Sequence, residues 1–168
     1  MAYTEHVRAA SSIKARCAIL TLSDTRTEAT DKSGAKIREL LTQASHEIFH
    51  YEILPDDPSV LNSTLQTLLA RGDIDVILSN GGTGISRRDT TIPTIEKHIE
   101  TSLPGFGELF RMLSYDQIQS GAMMSRAVAG IAKGKLIFAI PGSTAAVELA
   151  MTKLILPEIG HLIGELRK

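Results

Sequence analysis

Apolar runs and helical periods alternate through the first half of this chain, and few architectures accept that order. "CAILTLSD" opens at Cys17, is apolar without a helical period, and stops at Ser23 and Asp24, which predicts a buried strand. Ile37, Leu40, Leu41 and Ala44 recur at helical spacing, so Lys32 to Ser45 reads as a helix with one apolar stripe. "EIFHYEILPDD" is a second strand ending at Pro55, and Leu61, Leu65, Leu68 and Leu69 mark the face of a second helix. "DIDVILSN" is a third strand. Strand, helix, strand, helix, strand demands a parallel sheet with helices packed on it and right-handed crossovers.

Helical stretches follow. "IPTIEKHIETSL" presents Ile95, Ile99 and Leu103 and is broken by Pro104 and Gly105; "FGELFRMLSYDQIQ" is another helix. "SRAVAGIAKGKLIFAIPG" reads as a hairpin turning near Lys133 and Gly134, and its second arm, Leu136 to Ile140, suits a central strand. From Ser143 a long helix puts Val147, Ala150, Met151, Leu154 and Ile155 on one face, and Pro157 should kink or restart it. Residues 1–13 are polar and small and are expected to form a flexible arm; residues 14–168 read as a single domain.

Composition removes several functions. Net charge is −1 with no long basic run, which gives nucleic-acid binding no support. No segment reaches the ~18 apolar residues of a membrane span, and Glu5 and His6 stand where a signal peptide needs an apolar stretch. The single cysteine, Cys17, allows no intrachain disulfide and reads as a small core residue. A cytoplasmic protein is expected. The five histidines show no metal-ligand spacing.

The chemistry gathers at strand ends. In a parallel sheet the carboxyl ends share one edge, where ligands of such folds bind. Ser23 and Asp24 follow the first strand, Asp56 and Asp57 the second, "SNGGTG" the third, and "PGST" the last. Gly81, Gly82 and Gly84 let the backbone around Thr83 curl into a concave set of N–H groups, either a plain tight turn or an anion cradle. The loop is not a Walker A sequence, and Arg87 stands where the dinucleotide fingerprint needs a glycine. Pro141 and Gly142 lead into Ser143 and Thr144, a capped helix start that could also meet a phosphate. Asp56 and Asp89 are candidate ligands for Mg2+, whereas Asp57 before a proline reads as a cap. Arg87 and Arg88 either contact a polyphosphate or balance Asp89.

Taken together, "LTLSDTR", "SNGGTGISRRDTT", "GFGELFRMLSY", "SRAVAG" and "IFAIPGST" resemble the MoaB/MogA family of molybdenum cofactor biosynthesis proteins, nearest its protein B branch. The resemblance covers nearly the whole chain after residue 14. It implies a three-layer α/β/α sandwich with a mostly parallel sheet that binds molybdopterin. It further implies adenylylation of the terminal phosphate of molybdopterin with Mg2+ and ATP, releasing pyrophosphate. Asp56 and Asp89 match the family's essential acids, and the "GGTG" and "PGST" segments match its ligand-binding loops. Ser23, Asp24, Glu108, Arg111, Ser125 and Arg126 match further segments around the pocket. A homo-oligomer, trimer or hexamer, and hand-over of product to a molybdenum insertase are implied as well. A non-catalytic molybdopterin carrier is the alternative; an ordinary nucleotide-binding oxidoreductase lacks its fingerprint here.

Overall fold

The computed structural model describes residues 2–168. Six strands form one sheet in the order β2-β1-β3-β6-β5-β4: β1 (Arg16–Leu22), β2 (Glu47–Leu54), β3 (Val76–Asn80), β4 (Thr101–Ser102), β5 (Val128–Ala132) and β6 (Lys135–Ile140). β2, β1, β3 and β6 run parallel, and β5 is antiparallel to both β6 and β4. The expected three-layer sandwich follows from the two-residue period of the strands. Cys17, Ile19, Val76, Leu78, Leu136, Phe138 and Ile140 point to one face, under α2 (Lys32–Gln43), α5 (Pro104–Ile118), α6 (Thr144–Ala150) and α7 (Leu156–Leu166). Ala18, Leu20, Leu22, Ile77, Ile137 and Ala139 point to the other, under α3 (Pro58–Ala70) and α4 (Thr91–Glu96). Because both faces are covered, these strands are apolar throughout rather than alternating.

Two segments depart from the sequence expectation, and a third restarts at a proline as expected. Where a flexible arm was expected over residues 1–13, Ala2–Ala10 form a helix, α1, lying on α7. Tyr3, Val7 and Ala10 fall on one side of it, the Tyr3 hydroxyl donates to Glu158, and the His6 ring stacks on His161 at 6.0 Å. Close approach depends on Gly160, where a Cβ would lie 2.5 Å from the Ala10 carbonyl oxygen. The polar composition of α1 hides a partner that only the folded chain supplies. Met1 lies outside the described residues.

The helix expected to carry Ile99 and Leu103 stops at Glu96. The open edge of β5 captures the following residues instead: Glu100 N–H donates to Ile131 O at 2.8 Å and Leu103 N–H to Ala129 O at 2.9 Å. The long C-terminal helix passes through a π-helical stretch, Met151–Ile155, and restarts as α7 with Pro157 in its first turn. Pro157 has no N–H to give and its ring crowds the preceding turn, so the widened stretch accommodates it. The β5–β6 hairpin turns at Lys133 and Gly134, both at positive φ, as a tight two-residue turn requires.

At the amino edge of the sheet, Asp75 closes the base of the domain. Its Oδ2 accepts from the backbone and Nε of Arg16 at 3.0 and 2.9 Å, and its Oδ1 accepts from Arg16 Nη2 at 2.8 Å and Arg167 Nη2 at 3.2 Å. Burial opposes ionisation, but the Arg16 hydrogen bonds outweigh it and hold the carboxyl down at about 2. An acid with a depressed folded pKa stabilises the fold above its ordinary 3.8, and that stability is lost as pH falls through about 2. Asp75→Asn is therefore expected to cost about 2 kcal/mol near neutral pH. Its melting temperature should converge with that of the parent by about pH 2, which thermal denaturation across pH would check.

Candidate functional site

The chain reverses its winding direction between β1 and β3, since β2 lies on one side of β1 and β3 on the other. Such a switch point opens a crevice at the carboxyl ends of the strands. Here it is a cleft of about 480 Å3, and residues from all four parallel-strand exits line it. Backbone hydrogen bonds stitch those exits together: Ser23 N–H to Leu54 O at 2.8 Å, Gly81 N–H to Ile140 O at 3.1 Å, and Thr91 N–H to Gly82 O at 3.1 Å.

Of the residues singled out in the sequence, Ser23, Asp56, Gly81, Gly82, Thr83, Gly84, Asp89, Ser125, Arg126, Pro141 and Gly142 all line this cleft. Gly81 and Gly82 have φ of 94° and 64°, so the loop after β3 takes the left-handed turn expected of it. The two acids sit on the Gly82–Gly84 side. A Cβ on Gly82 would lie 3.3 Å from Asp56 Oδ1, and one on Gly84 would lie 2.7 Å from Asp89 Oδ2.

The acids differ in electrostatic setting. Asp89 Oδ2 accepts from Ser86 Oγ at 2.7 Å and Ser86 N–H at 2.9 Å. The Ser86 hydroxyl first, then the backbone of Ser86 and Gly84 and the Arg126 charge, outweigh burial and hold Asp89 below the usual carboxylate range. Asp56 goes the other way. Burial, then the neighbouring Asp24 carboxylate, push it up, and Arg88 offsets this only in part. Hydrogen bonds favour the charged form of one acid, while burial and a like charge oppose it in the other.

Asp24 and Arg88 form the rim rather than the lining. Asp24 Oδ1 accepts from the Asp56 backbone N–H at 2.9 Å, and its Oδ2 pairs with Arg88 Nη2 at 2.7 Å. Arg88 thus balances Asp24, not Asp89. Arg87 is exposed on the same loop. Ser143 caps α6, its Oγ accepting from Ala146 N–H at 3.2 Å, and both it and Thr144 stand outside the cleft lining. Asp57 caps α3 in the same manner. Glu108 and Arg111 are not brought into the cleft; they line a separate hollow of about 240 Å3 between α5 and β5.

Sequence reasoning passed over Arg26, Gly121 and Met124, all in the cleft wall. Arg26 lay within the quoted "LTLSDTR" run, three residues after Ser23, so a signal was available. Gly121 and Met124 follow the helix read in "FGELFRMLSYDQIQ", and a methionine there reads as a core or subunit contact rather than a ligand contact. They lie on a 3-10 segment, Gln119–Met124, that bends back over the cleft after α5.

Residues 18–161 match the family model described as "Probable molybdopterin binding domain". The chain belongs to this family. It is 52% identical over 154 residues to Molybdenum cofactor biosynthesis protein B of Halalkalibacterium halodurans, covering 91% of each chain. It is 48% identical over 169 residues to the protein of the same name from Bacillus cereus, covering 100% of this chain and 99% of that one. A crystal structure of Molybdenum cofactor biosynthesis protein B superposes with a TM-score of 0.90 at 49% identity, over 92% of this chain and 97% of that one. The tungsten cofactor synthesizing protein MoaB from Pyrococcus furiosus superposes with a TM-score of 0.83 at 34% identity, over 92% and 98% of the two chains. The family match therefore spans all four strand exits that build the cleft. No helix among the described residues is long and apolar enough to cross a membrane.

Proposed function

We propose that this protein is a cytoplasmic molybdopterin adenylyltransferase. The terminal phosphate of molybdopterin attacks the α-phosphorus of ATP, a new P–O–P linkage forms, and the bond to the leaving pyrophosphate breaks. The observation that carries this reading is the placing of Asp56 and Asp89 in one cleft with the Gly82–Gly84 loop. Phosphoryl chemistry of this kind needs positioning and charge stabilisation rather than a protein nucleophile.

The donor set fits Mg2+. Asp56 and Asp89 supply carboxylate oxygens, and a cation at the cleft would offset the burial and the Asp24 charge that disfavour ionised Asp56. Among the described residues no group of three or more His, Cys, Asp or Glu could hold a metal alone. Mg2+ commonly takes one or two carboxylates and completes its shell with phosphate oxygens and water. When bound, the ion would offset the negative charge of the triphosphate. The chain's own part is to present the amides of Gly82 and Thr83 to phosphate oxygens and to favour the charged form of Asp89 through Ser86 and Gly84.

The exposed side chains of Leu109, Met112, Tyr115, Ile118 and Met123 support an oligomer, trimer or hexamer, built through α5 and the segment after it. Hand-over of the adenylylated pterin to a molybdenum insertase is the step we place next. The test is pyrophosphate release on mixing the protein with molybdopterin and Mg-ATP. Stoichiometric pyrophosphate with adenylylated pterin is the expected result; tight pterin binding without pyrophosphate would make the protein a carrier instead.

A further inference from the structure

The acids occupy the Gly82–Gly84 side of the cleft, which leaves its other corner to be explained. There Gly81, Gly142 and Arg26 meet: a Cβ on Gly142 would lie 3.0 Å from Gly81 Cα and 3.8 Å from Arg26 Nη1. We propose that Arg26 is a phosphate-binding residue, holding a phosphate ester of the bound ligand in this corner. The assignment rests on the molybdopterin and nucleotide binding argued above.

Arg26 is braced from behind. Its Nη1 donates to Ser33 Oγ at 2.5 Å and its Nη2 to the Gly142 carbonyl at 3.0 Å. Ser33 Oγ stands 2.8 Å from Asn80 Oδ1 and 3.2 Å from Asp31 Oδ1, one of which takes its proton. Asn80 Nδ2 donates to Thr21 Oγ1 at 2.9 Å, and Thr21 donates on to Asp31 Oδ2 at 2.6 Å. A polar chain of buried groups therefore runs beneath the cleft from β1 and β3 to the guanidinium. It fixes the orientation of a side chain that is otherwise long and mobile.

Bracing does not use up the group. A guanidinium has five N–H donors, and the two hydrogen bonds above account for two of them. Its charge is also only partly met. Asp31 lies 3.5 Å from Nη1, and the Asp31 oxygens already accept from Thr21, Gly34 N–H and Tyr51. The side chain remains 33% exposed and faces the cleft. A pre-oriented, incompletely neutralised guanidinium beside a glycine-walled corner suits the planar, bidentate recognition of a phosphate.

The test compares Arg26→Gln and Arg26→Lys with the parent protein. Binding would be measured calorimetrically for ATP and adenosine, and by fluorescence for molybdopterin and its phosphatase-treated form. We expect Arg26→Gln to weaken a phosphorylated ligand at least tenfold and leave its phosphate-free counterpart within twofold, with Arg26→Lys in between. Loss confined to molybdopterin would put the pterin phosphate at Arg26; loss confined to ATP would put the nucleotide there. Equal weakening of phosphorylated and phosphate-free ligands would reduce Arg26 to a brace and overturn the proposal, as would unchanged binding of all four. Failure of the parent protein to release pyrophosphate, with this binding pattern intact, would sink adenylyl transfer and leave Arg26 its role.

Discussion

Asp56→Asn is expected to slow pyrophosphate release about a hundredfold or more, the usual effect of losing one preorganised electrostatic contact in a polyphosphate site. Asparagine keeps the shape and the backbone N–H that donates to Asp24, so the rim of the cleft should persist. The melting temperature should equal or exceed that of the parent. Burial and Asp24 raise the Asp56 pKa. An acid whose folded pKa lies above its ordinary value destabilises the fold wherever it is ionised, and replacing it with a neutral group relieves that. Falling activity with undiminished stability would mark Asp56 as a site residue held at a cost to the fold. A variant that turns over normally would remove it from the chemistry. The raised pKa belongs to the metal-free cleft, and a bound Mg2+ would draw it down again. Asp89 needs a gentler substitution. Alanine there would also release Ser86 N–H and Oγ, so Asp89→Asn is the better comparison.

Gly81→Ala should damage both fold and site. Gly81 has a φ of 94°, and a Cβ there would sit 2.4 Å from the Leu22 carbonyl oxygen. Neither problem can be relieved by a side chain moving, because the obstacle is backbone at the end of β1. Positive-φ strain and displacement of two strand ends together should cost about 3 kcal/mol, which for a domain of this size lowers the melting temperature by about 10 °C. Molybdopterin binding should weaken in parallel, since Gly81 joins the exits of β3 and β6 through its N–H to Ile140 O. Gly72→Ala is the control, because a Cβ there meets nothing within 4 Å. Equal stability of the two variants, read by thermal denaturation, would show that the tight loop after β3 is not a requirement of the fold.

The sequence by itself determined the layering of the domain and the edge on which its chemistry lies. Short apolar runs between helical stripes admit a parallel sheet covered on both faces, and that sheet sends Ser23, Asp56, Gly82 and Gly142 to a common side. Those are local and periodic properties, carried by hydrophobic spacing and by glycines whose φ the turn demands. Tertiary structure alone decided what depended on remote partners. α1 forms against α7 because Gly160 lets Ala10 approach, and the residues after Glu96 become a strand because β5 offers an open edge. The same holds within the cleft. The motif spacing treated Asp56 and Asp89 alike, Glu108 and Arg111 as neighbours of both, and Arg26 as a bystander. Packing gives the two acids opposite pKa shifts, sends Glu108 and Arg111 to another hollow, and braces Arg26 into the wall. Electrostatic character depends on burial and on which charges come close, and sequence distance records neither.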